Sequence, residues 1–482
     1  MENANSKKYS QITKEDVDHL IKICGTRSVI YNNLEKLEPY SHDEVAEKSY
    51  FSMPELVLKP SSTKEISEIM LLANKRKIPV TPRGAGSGLS GGCIPVYGGI
   101  VISLEKMNSI IEVDTENMMI TVEPGVVTNT INEVLKKDGL WFAGYPMSLE
   151  SCFIGGNVAE NAGGGKAIKY GVTSRYVAGL EVVLPTGEVL NLGGKLRKDV
   201  TGYDLIHLLT GSEGTLGIIT KITLSLMPLP GSRAALLALF GSVKEAISVV
   251  PQLLAVGRII PTSIEFMDKL SFQTACDYLN EIIDYKTAGA MLLIEIDGKT
   301  EDEVARDYET IGDICESKGA QTVYVADNKT TLDRVWNIRK NIAEAFKITS
   351  AHQSLEDIVV PTASIPDFMD DIEKLIKKYG ILIPCYGHAG DGNLHATPVK
   401  PPKWDLKQWE NTLEKLLLEI YLSAAKYGGT ISGEHGIGSK RNKYIGINLS
   451  DSTISLMKRL KTAFDPKWIL NPGKIFPTDD EG

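Results

Sequence analysis

The sequence predicts an α+β protein of more than one domain, and three observations carry that reading. Its 482 residues exceed what one core usually serves. Short β-branched runs punctuated by Gly and Pro fill the first half, and 100–104, 119–122 and 217–226 each read as a strand. Beyond Pro228-Leu229-Pro230 the texture changes to strands mixed with longer amphipathic helices.

Taken in order, residues 1–48 are charged, with Val17, Leu20, Ile21 and Cys24 at helical spacing, and read as an N-terminal helical arm. Leu56-Val57-Leu58 is a short strand stopped by Pro60. Ser62 and Glu65 have capping-box spacing, ahead of one helical face formed by Ile66, Ile69, Met70 and Ala73. A further helix, capped by Thr128, turns Ile131, Val134 and Leu135 inward. Pro185-Thr186-Gly187 folds a strand at 180–184 back on one at 189–192. Later, Ile381-Leu382-Ile383 reads as a buried strand, as does Thr430-Ile431. Helices are expected at 366–379, stopped by Gly380, and at 405–427, with Leu413, Leu416, Leu417, Ile420 and Ala424 on one face.

Composition narrows the function classes. The chain is 43% apolar and 23% charged, as soluble proteins are. A net charge of −9 argues against nucleic acid or an anionic membrane as the main partner. It also means that a pocket for an anion must be locally basic. No run of apolar residues is long enough to span a membrane, and the opening residues lack the apolar centre of a signal peptide, so the expected location is cytoplasmic. Cysteines 24, 93, 152, 276, 315 and 385 are scattered without a CxxC. They read as buried reduced thiols, with no second redox centre in the chain.

Glycine clusters in three places. In Pro82-Arg83-Gly84-Ala85-Gly86-Ser87-Gly88-Leu89-Ser90-Gly91-Gly92, alternating glycines let successive N–H groups form a nest for phosphate oxygens. Leu89 stands where a dinucleotide fingerprint needs Gly, and no Gly-Lys-Ser/Thr follows, so two better-known phosphate loops are excluded. Alone, this loop reads as phosphate binding, with a simple flexible turn as the alternative. The run from Gly155-Gly156-Asn157 to Gly163-Gly164-Gly165 again demands close backbone approach, and Gly211-Ser212-Glu213-Gly214-Thr215-Leu216-Gly217 feeds small residues into a β-branched strand.

The order of these motifs, with Leu58-Lys59-Pro60 before them and Glu123-Pro124-Gly125 between, resembles the FAD domain of vanillyl-alcohol-oxidase-type flavoproteins. The branch it is most similar to holds D-lactate dehydrogenase, the glycolate oxidase FAD subunit and D-2-hydroxyglutarate dehydrogenase. The resemblance runs from about residue 50 to the C-terminus. It implies a two-part FAD-binding domain over 49–229, an α+β substrate (cap) domain with an antiparallel sheet over 230–430, and a segment over 431–482 that returns to the first domain.

The same resemblance implies the cofactor contacts. Gly84, Ala85, Gly86, Ser87 and Gly88 would hold the pyrophosphate, with Pro82, Arg83, Ser90 and Gly125 as further cofactor contacts. Pro146, Met147, Ser148, Gly155, Gly156, Asn157, Ala159, Asn161, Gly163 and Gly164 would flank the flavin on one side. Glu213, Gly214, Gly217, Ile218 and Ile219 would flank it on the other, with Asn471 reaching it from the C-terminal Leu470-Asn471-Pro472-Gly473-Lys474 signature. None of the seven histidines, at 19, 42, 207, 352, 388, 395 and 435, lies in the first loop, so the FAD is expected to be non-covalent.

Three of those histidines fall in two short motifs. Gly387-His388-Ala389-Gly390-Asp391-Gly392-Asn393-Leu394-His395 has strong turn formers at its centre, which lets His388 and His395 face each other. Ser432-Gly433-Glu434-His435-Gly436-Ile437-Gly438 supplies a carboxylate and a third imidazole. Two His and one carboxylate suit a divalent metal, Zn or Fe; hydrogen bonding inside a core is the alternative. The resemblance implies that His388, His395 and Glu434 are ligands, that His435 is the general base, and that Arg339 binds a substrate carboxylate. Where some relatives carry a second cation, this chain has Leu355, ahead of Glu356-Asp357-Ile358. The expected reaction is therefore oxidation of a small 2-hydroxy acid, D-lactate first, with glycolate or D-2-hydroxyglutarate as alternatives. Electrons would pass to a soluble acceptor, an electron-transfer flavoprotein or an iron–sulfur subunit. A non-catalytic FAD-binding subunit is the reading from another class.

Overall fold

The structure is a computed structural model that describes residues 8–47 and 50–477. Residues 1–7 and 48 of the expected arm lie outside the described residues. The chain divides into two compact units, one of 1–163, 172–229 and 434–482, the other of 164–171 and 230–433.

The first unit holds two sheets of different construction. In one, the strands run Val29–Tyr31, Leu56–Leu58, Ile100–Ser103, Val80–Arg83; the first pair is antiparallel and the rest are parallel. The helix Thr63–Arg76 joins Leu56–Leu58 to Val80–Arg83, which flank Ile100–Ser103 on its two sides. Its Ser62 cap and its buried face of Ile66, Ile69, Met70 and Ala73 are those the sequence indicates. The other sheet is antiparallel, in the order Ile110–Asp114, Met119–Val122, Ile218–Ser225, Val177–Val183, Val189–Gly193. The hairpin at Pro185-Thr186-Gly187 closes with Val183 opposite Val189, and Gly187 sits at φ +88°.

Two expectations fail here for identifiable reasons. Thr128 is the first residue of its helix rather than the cap, because its hydroxyl is used elsewhere, donating to the Cys152 carbonyl and accepting from Asn157. The run after Phe153, which its Gly and Asn content marks as a loop region, holds a short helix, Ile154–Glu160. Two glycines make a poor helix. Packing overrides that, since a Cβ on Gly155 would stand 2.5 Å from the Pro124 Cβ.

The C-terminal residues are built into this unit. Val80 donates to the Ile469 carbonyl and accepts from Asn471 N–H, so residues 469–471 extend the parallel sheet. A buried ion pair holds the turn that brings them there. Lys461 Nζ is 2.6 Å from Asp465 Oδ2 and also donates to the carbonyls of Thr215 and Leu470. Asp465 in turn accepts from the N–H groups of Ile469 and Leu470.

The second unit is one seven-stranded antiparallel sheet with helices. The order is Ala320–Ala326, Ser232–Phe240, Ala290–Gly298, Ser263–Asp268, Cys385–His388, Asn393–Ala396, Glu356–Val359. On one face Leu237, Leu293 and Met267 pack against Phe272, Ile338 and Phe346 from the helices Lys269–Leu279, Lys329–Lys340 and Ile342–Lys347. The helices Ile365–Tyr379, ended by Gly380 at φ +66°, and Leu406–Lys426 match the sequence pattern within a residue at each end. Ile381-Leu382-Ile383 is not a continuous strand. Leu382 makes a single bridge to Val399, and Pro384, with no N–H to give, separates it from the strand Cys385–His388. Thr430 and Ser432 likewise make only isolated bridges, to Val359 and Asp357.

Asp465→Ala strands a buried ammonium and is expected to cost about 3–5 kcal/mol of stability. Denaturant titration followed by far-UV circular dichroism checks it; a loss under about 1 kcal/mol would show that the pair does not hold the C-terminal turn.

Candidate functional site

In the first unit the three glycine-rich segments converge. A Cβ on Gly84 would lie 3.7 Å from the Gly156 backbone, and one on Gly214 would lie 2.8 Å from Pro82. Gly211 N–H donates to the Val158 carbonyl and Glu213 N–H to that of Ala159. Asn471 Nδ2 donates to the carbonyls of Gly92 and Glu213, tying the C-terminal signature to two of the loops. Around this meeting point several buried polar atoms, Ser90 Oγ, Thr210 Oγ1 and Asn471 Oδ1, have no hydrogen-bond partner among the described residues. A Cβ on Gly156 would meet nothing within 4 Å. Bare backbone, open space and unsatisfied buried donors and acceptors fit a phosphate-bearing flat cofactor.

Individual side chains divide into those facing this cradle and those that build it. Arg83 builds it. Its guanidinium donates to the carbonyls of Pro39 and His42 and lies 5.6 Å from the Tyr40 ring centroid, and a Cβ on Gly86 would strike it at 2.1 Å. Asn157 and Asn161 are also spent inside the fold, on Thr128 and on the Ser174 N–H. Gly125 is fixed by the Leu104 carbonyl, 2.3 Å from a Cβ there, and Gly217 by Val182 at 2.4 Å. Ile218 and Ile219 open a strand, and Pro146, Met147 and Ser148 form a partly exposed turn. Gly164 belongs to the second unit, where its carbonyl accepts from Ala167 N–H. His42 is distant in sequence from the first loop, yet its carbonyl meets Arg83; its ring stacks on Phe51 at 4.7 Å.

The side chain of Glu213 has a different use from the one the sequence suggests. Its carboxylate accepts from Ile437 N–H at 2.8 Å and Gly438 N–H at 2.6 Å, and so anchors the loop that begins with Glu434 and His435. Gly436 and Gly438 take φ of +83° and +54°, and a Cβ on Gly436 would lie 2.2 Å from Glu160 Oε2. Burial pushes both acids up, and the Glu213 charge pushes Glu160 further. The donors from Ile437 and Gly438 and the charges of Arg441 and Lys474 pull Glu213 back, so Glu160 is raised the further of the two. Within this loop Glu434 Oε1 is 3.6 Å from His435 Nε2, and Glu434 Oε2 is 3.5 Å from where a Gly163 Cβ would be.

The second unit brings the other histidines together by strand register. Glu265, His388 and Asn393 form one row across three strands; Met267, Tyr386, His395 and Asp357 form the next row. Side chains two apart share a face, so both rows point the same way. The His388 and His395 ring centroids are 5.6 Å apart and nearly perpendicular. Asp357, fully buried, accepts from Asn393 Nδ2, the Ser432 hydroxyl and Gly433 N–H, which fixes the chain immediately before Glu434.

Arg339 arrives from the helix Lys329–Lys340 over the same face. Its Nε donates to Glu265 Oε2 at 2.7 Å, and its guanidinium lies 4.8 Å from the Tyr386 centroid. Nη1 and Nη2 make no hydrogen bond among the described residues. Glu265 Oε1 is 2.6 Å from His388 Nδ1. Burial alone would raise the Glu265 pKa, but His388 and Arg339 outweigh it and leave the carboxyl below its usual range.

Glu265, Glu295 and Asp297 were not anticipated. Their signal was present, as acids at inward-facing positions of otherwise apolar strands. Glu295 and Asp297 hold the segment 164–171 through Lys166 at 3.7 Å, Lys169 at 2.5 Å and the Tyr170 hydroxyl at 2.9 Å.

Residues 54–193 match the FAD binding domain model and residues 229–475 match that of the FAD linked oxidases, C-terminal domain. The chain is 40% identical over 468 residues to glycolate oxidase subunit GlcD of Bacillus subtilis (strain 168), covering 97% of this chain and 98% of that one. It is 35% identical over 474 residues to D-lactate dehydrogenase of Anaerostipes hadrus, with the same coverage of 97% and 98%. To a probable mitochondrial D-2-hydroxyglutarate dehydrogenase of Oryza sativa subsp. japonica it is 34% identical over 487 residues, covering 97% and 83%. Among solved structures, 4-ethylphenol oxidase from Gulosibacter chungangensis has a TM-score of 0.78 at 20% identity, covering 97% and 99%, and p-cresol methylhydroxylase has 0.78 at 17%, covering 97% and 98%. These two likenesses concern the fold, a two-domain FAD-binding α+β architecture.

Glu213→Gln turns an amide N–H₂ toward one of two backbone donors. FAD content is expected to stay at the wild-type level, while turnover falls about 10²-fold from misplacement of the His435 loop. Flavin absorbance and steady-state rates measured together check it; loss of FAD with unchanged turnover per bound flavin would contradict it.

Proposed function

Because the chain belongs to the FAD-linked oxidases, we propose that it oxidises a small 2-hydroxy monocarboxylic acid, D-lactate to pyruvate in the first instance, with non-covalent FAD as the immediate oxidant. The observation that carries this is Arg339, a buried cation gripped at Nε by Glu265 and lying over the Tyr386 ring, with its outer pair of donors uncommitted. A planar fork in that state suits a carboxylate. It also answers the question set by the net charge of −9, since an anionic substrate meets one fixed positive group.

The face beside Arg339 supports the rest of the reading. His388 and His395, with Glu434 as third ligand by resemblance, fit a divalent cation, Zn or Fe, as a borderline donor set. When bound, FAD supplies the hydride acceptor, and the cation polarises the oxygens of the hydroxy acid. The chain's own residues do the remainder. Arg339 orients the carboxylate, and His435 takes the hydroxyl proton at its imidazole. Glu213 and Asp357 hold the backbone on either side of Glu434 and His435.

Leu355 favours a monocarboxylate. It packs against the apolar cluster of the second unit, so no second cation stands there for a dicarboxylate. Glycolate meets the same requirement, and the GlcD relative favours it as a second reading. D-2-hydroxyglutarate, the third, needs a cation from another position. The six cysteines are free and separate, and the sequence carries no paired-cysteine motif, so reducing equivalents leave to another molecule. A soluble electron-transfer flavoprotein or iron–sulfur subunit fits that role. Among the described residues no helix is long and apolar enough to cross a membrane.

Anaerobic addition of D-lactate is expected to bleach the flavin faster than L-lactate, glycolate or D-2-hydroxyglutarate. In His435→Ala bleaching should slow by about 10²–10⁴-fold with FAD still bound. Unchanged bleaching in the variant would leave the chain as an FAD-carrying subunit whose chemistry lies elsewhere.

A further inference from the structure

Glu265 is fully buried, and each of its oxygens goes to a different functional group. We propose that Glu265 is a positioning residue that aims two groups at once. Through Oε1 it fixes the orientation of His388 as a metal ligand, and through Oε2 it fixes the fork of Arg339 toward the substrate carboxylate. The inference rests on the roles proposed above for His388 and Arg339.

The geometry leaves Glu265 little freedom. It stands directly opposite His388 in the antiparallel pairing of Ser263–Asp268 with Cys385–His388, so the strand spacing sets their separation. A carboxylate 2.6 Å from His388 Nδ1 favours the tautomer with its proton on Nδ1, the one that ligates through Nε2. That is the usual way a carboxylate behind a ligating imidazole sets its tautomer and basicity. On the other side, Nε is the inner nitrogen of Arg339. Binding there turns the outer edge of the guanidinium away from Glu265, and the Tyr386 ring lies beneath it at 4.8 Å.

The segment 164–171 closes the arrangement. A Cβ on Gly165 would lie 2.5 Å from Glu265 Oε1 and 3.4 Å from His388 Nδ1, so the backbone lies against the carboxylate only because residue 165 is glycine. Lys166, Lys169 and Tyr170, bound to Glu295 and Asp297, pin the segment in place. Both hydrogen bonds are thereby kept from water, where charge-assisted bonds hold direction best.

The test uses the full chain with FAD bound, stripped of metal by dialysis against a chelator. Zn²⁺ affinity is read by competition with a chromophoric chelator, and KM and kcat for D-lactate are read at saturating Zn²⁺. His388→Ala should abolish the Zn²⁺ site. Glu265→Gln should weaken Zn²⁺ binding about 10–100-fold. With Zn²⁺ saturating, the same variant should raise KM about tenfold while kcat changes less, the mark of lost substrate binding. Glu265→Asp keeps the charge on a shorter arm and should fall between wild type and Glu265→Gln on both readouts. Zn²⁺ affinity and KM within about twofold of wild type in Glu265→Gln, with His388→Ala unable to bind, would overturn the inference and leave the metal reading intact. Wild-type Zn²⁺ binding in His388→Ala would instead overturn the metal reading itself. Should Glu265→Gln fail to fold, the Asp variant decides by the same limits.

Discussion

The Glu213 carboxylate joins residues more than two hundred positions apart in the chain, and the local sequence on both sides follows from that bond. A carboxylate removed from water must find its donors in the protein. Here they are successive backbone N–H groups, which converge on one acceptor only if the chain curls. Gly436 and Gly438 permit the curl, at dihedrals that side chains resist. Glu160 then fills the space that a side chain at 436 would need. Arg441, fully buried, offsets the charge and donates to the Gly436 carbonyl. The backbone that carries His435 is thus held by this acid.

Local pattern was legible in the sequence where one periodicity dominates. The helices Ile365–Tyr379 and Leu406–Lys426, the hairpin about Gly187 and the turn between His388 and His395 each follow from spacing and turn chemistry. Long-range demands were less visible. The helix Ile154–Glu160 forms against the preference of Gly155 and Gly156, because Pro124 presses on it. Pro384 displaces a strand that hydrophobicity alone would begin at Ile381.

The three glycine loops do converge in the first unit, but their pattern does not tell the task of each residue. Arg83 and Glu213 read as cofactor contacts because they sit within the loops. Their charged ends are instead committed to the N-terminal arm and to the loop after His435. Glu265 was hidden for the opposite reason. One acid in Ser263–Asp268 means little until the register sets it against His388, and register depends on partners more than a hundred residues away.

The first unit is written in three separate stretches, with its last beginning at Glu434. Val80 therefore emerges during synthesis with its partners at Ile469 and Asn471 still about 390 residues from being made. At roughly 5–20 residues per second that is a delay of about 20–80 s, during which one edge of the parallel sheet stands open. An unpaired edge invites pairing with another chain. The nascent protein thus passes through a window in which a holding chaperone or slow, cool expression decides how much reaches the native state, and removing the last fifty residues would leave that edge open for good.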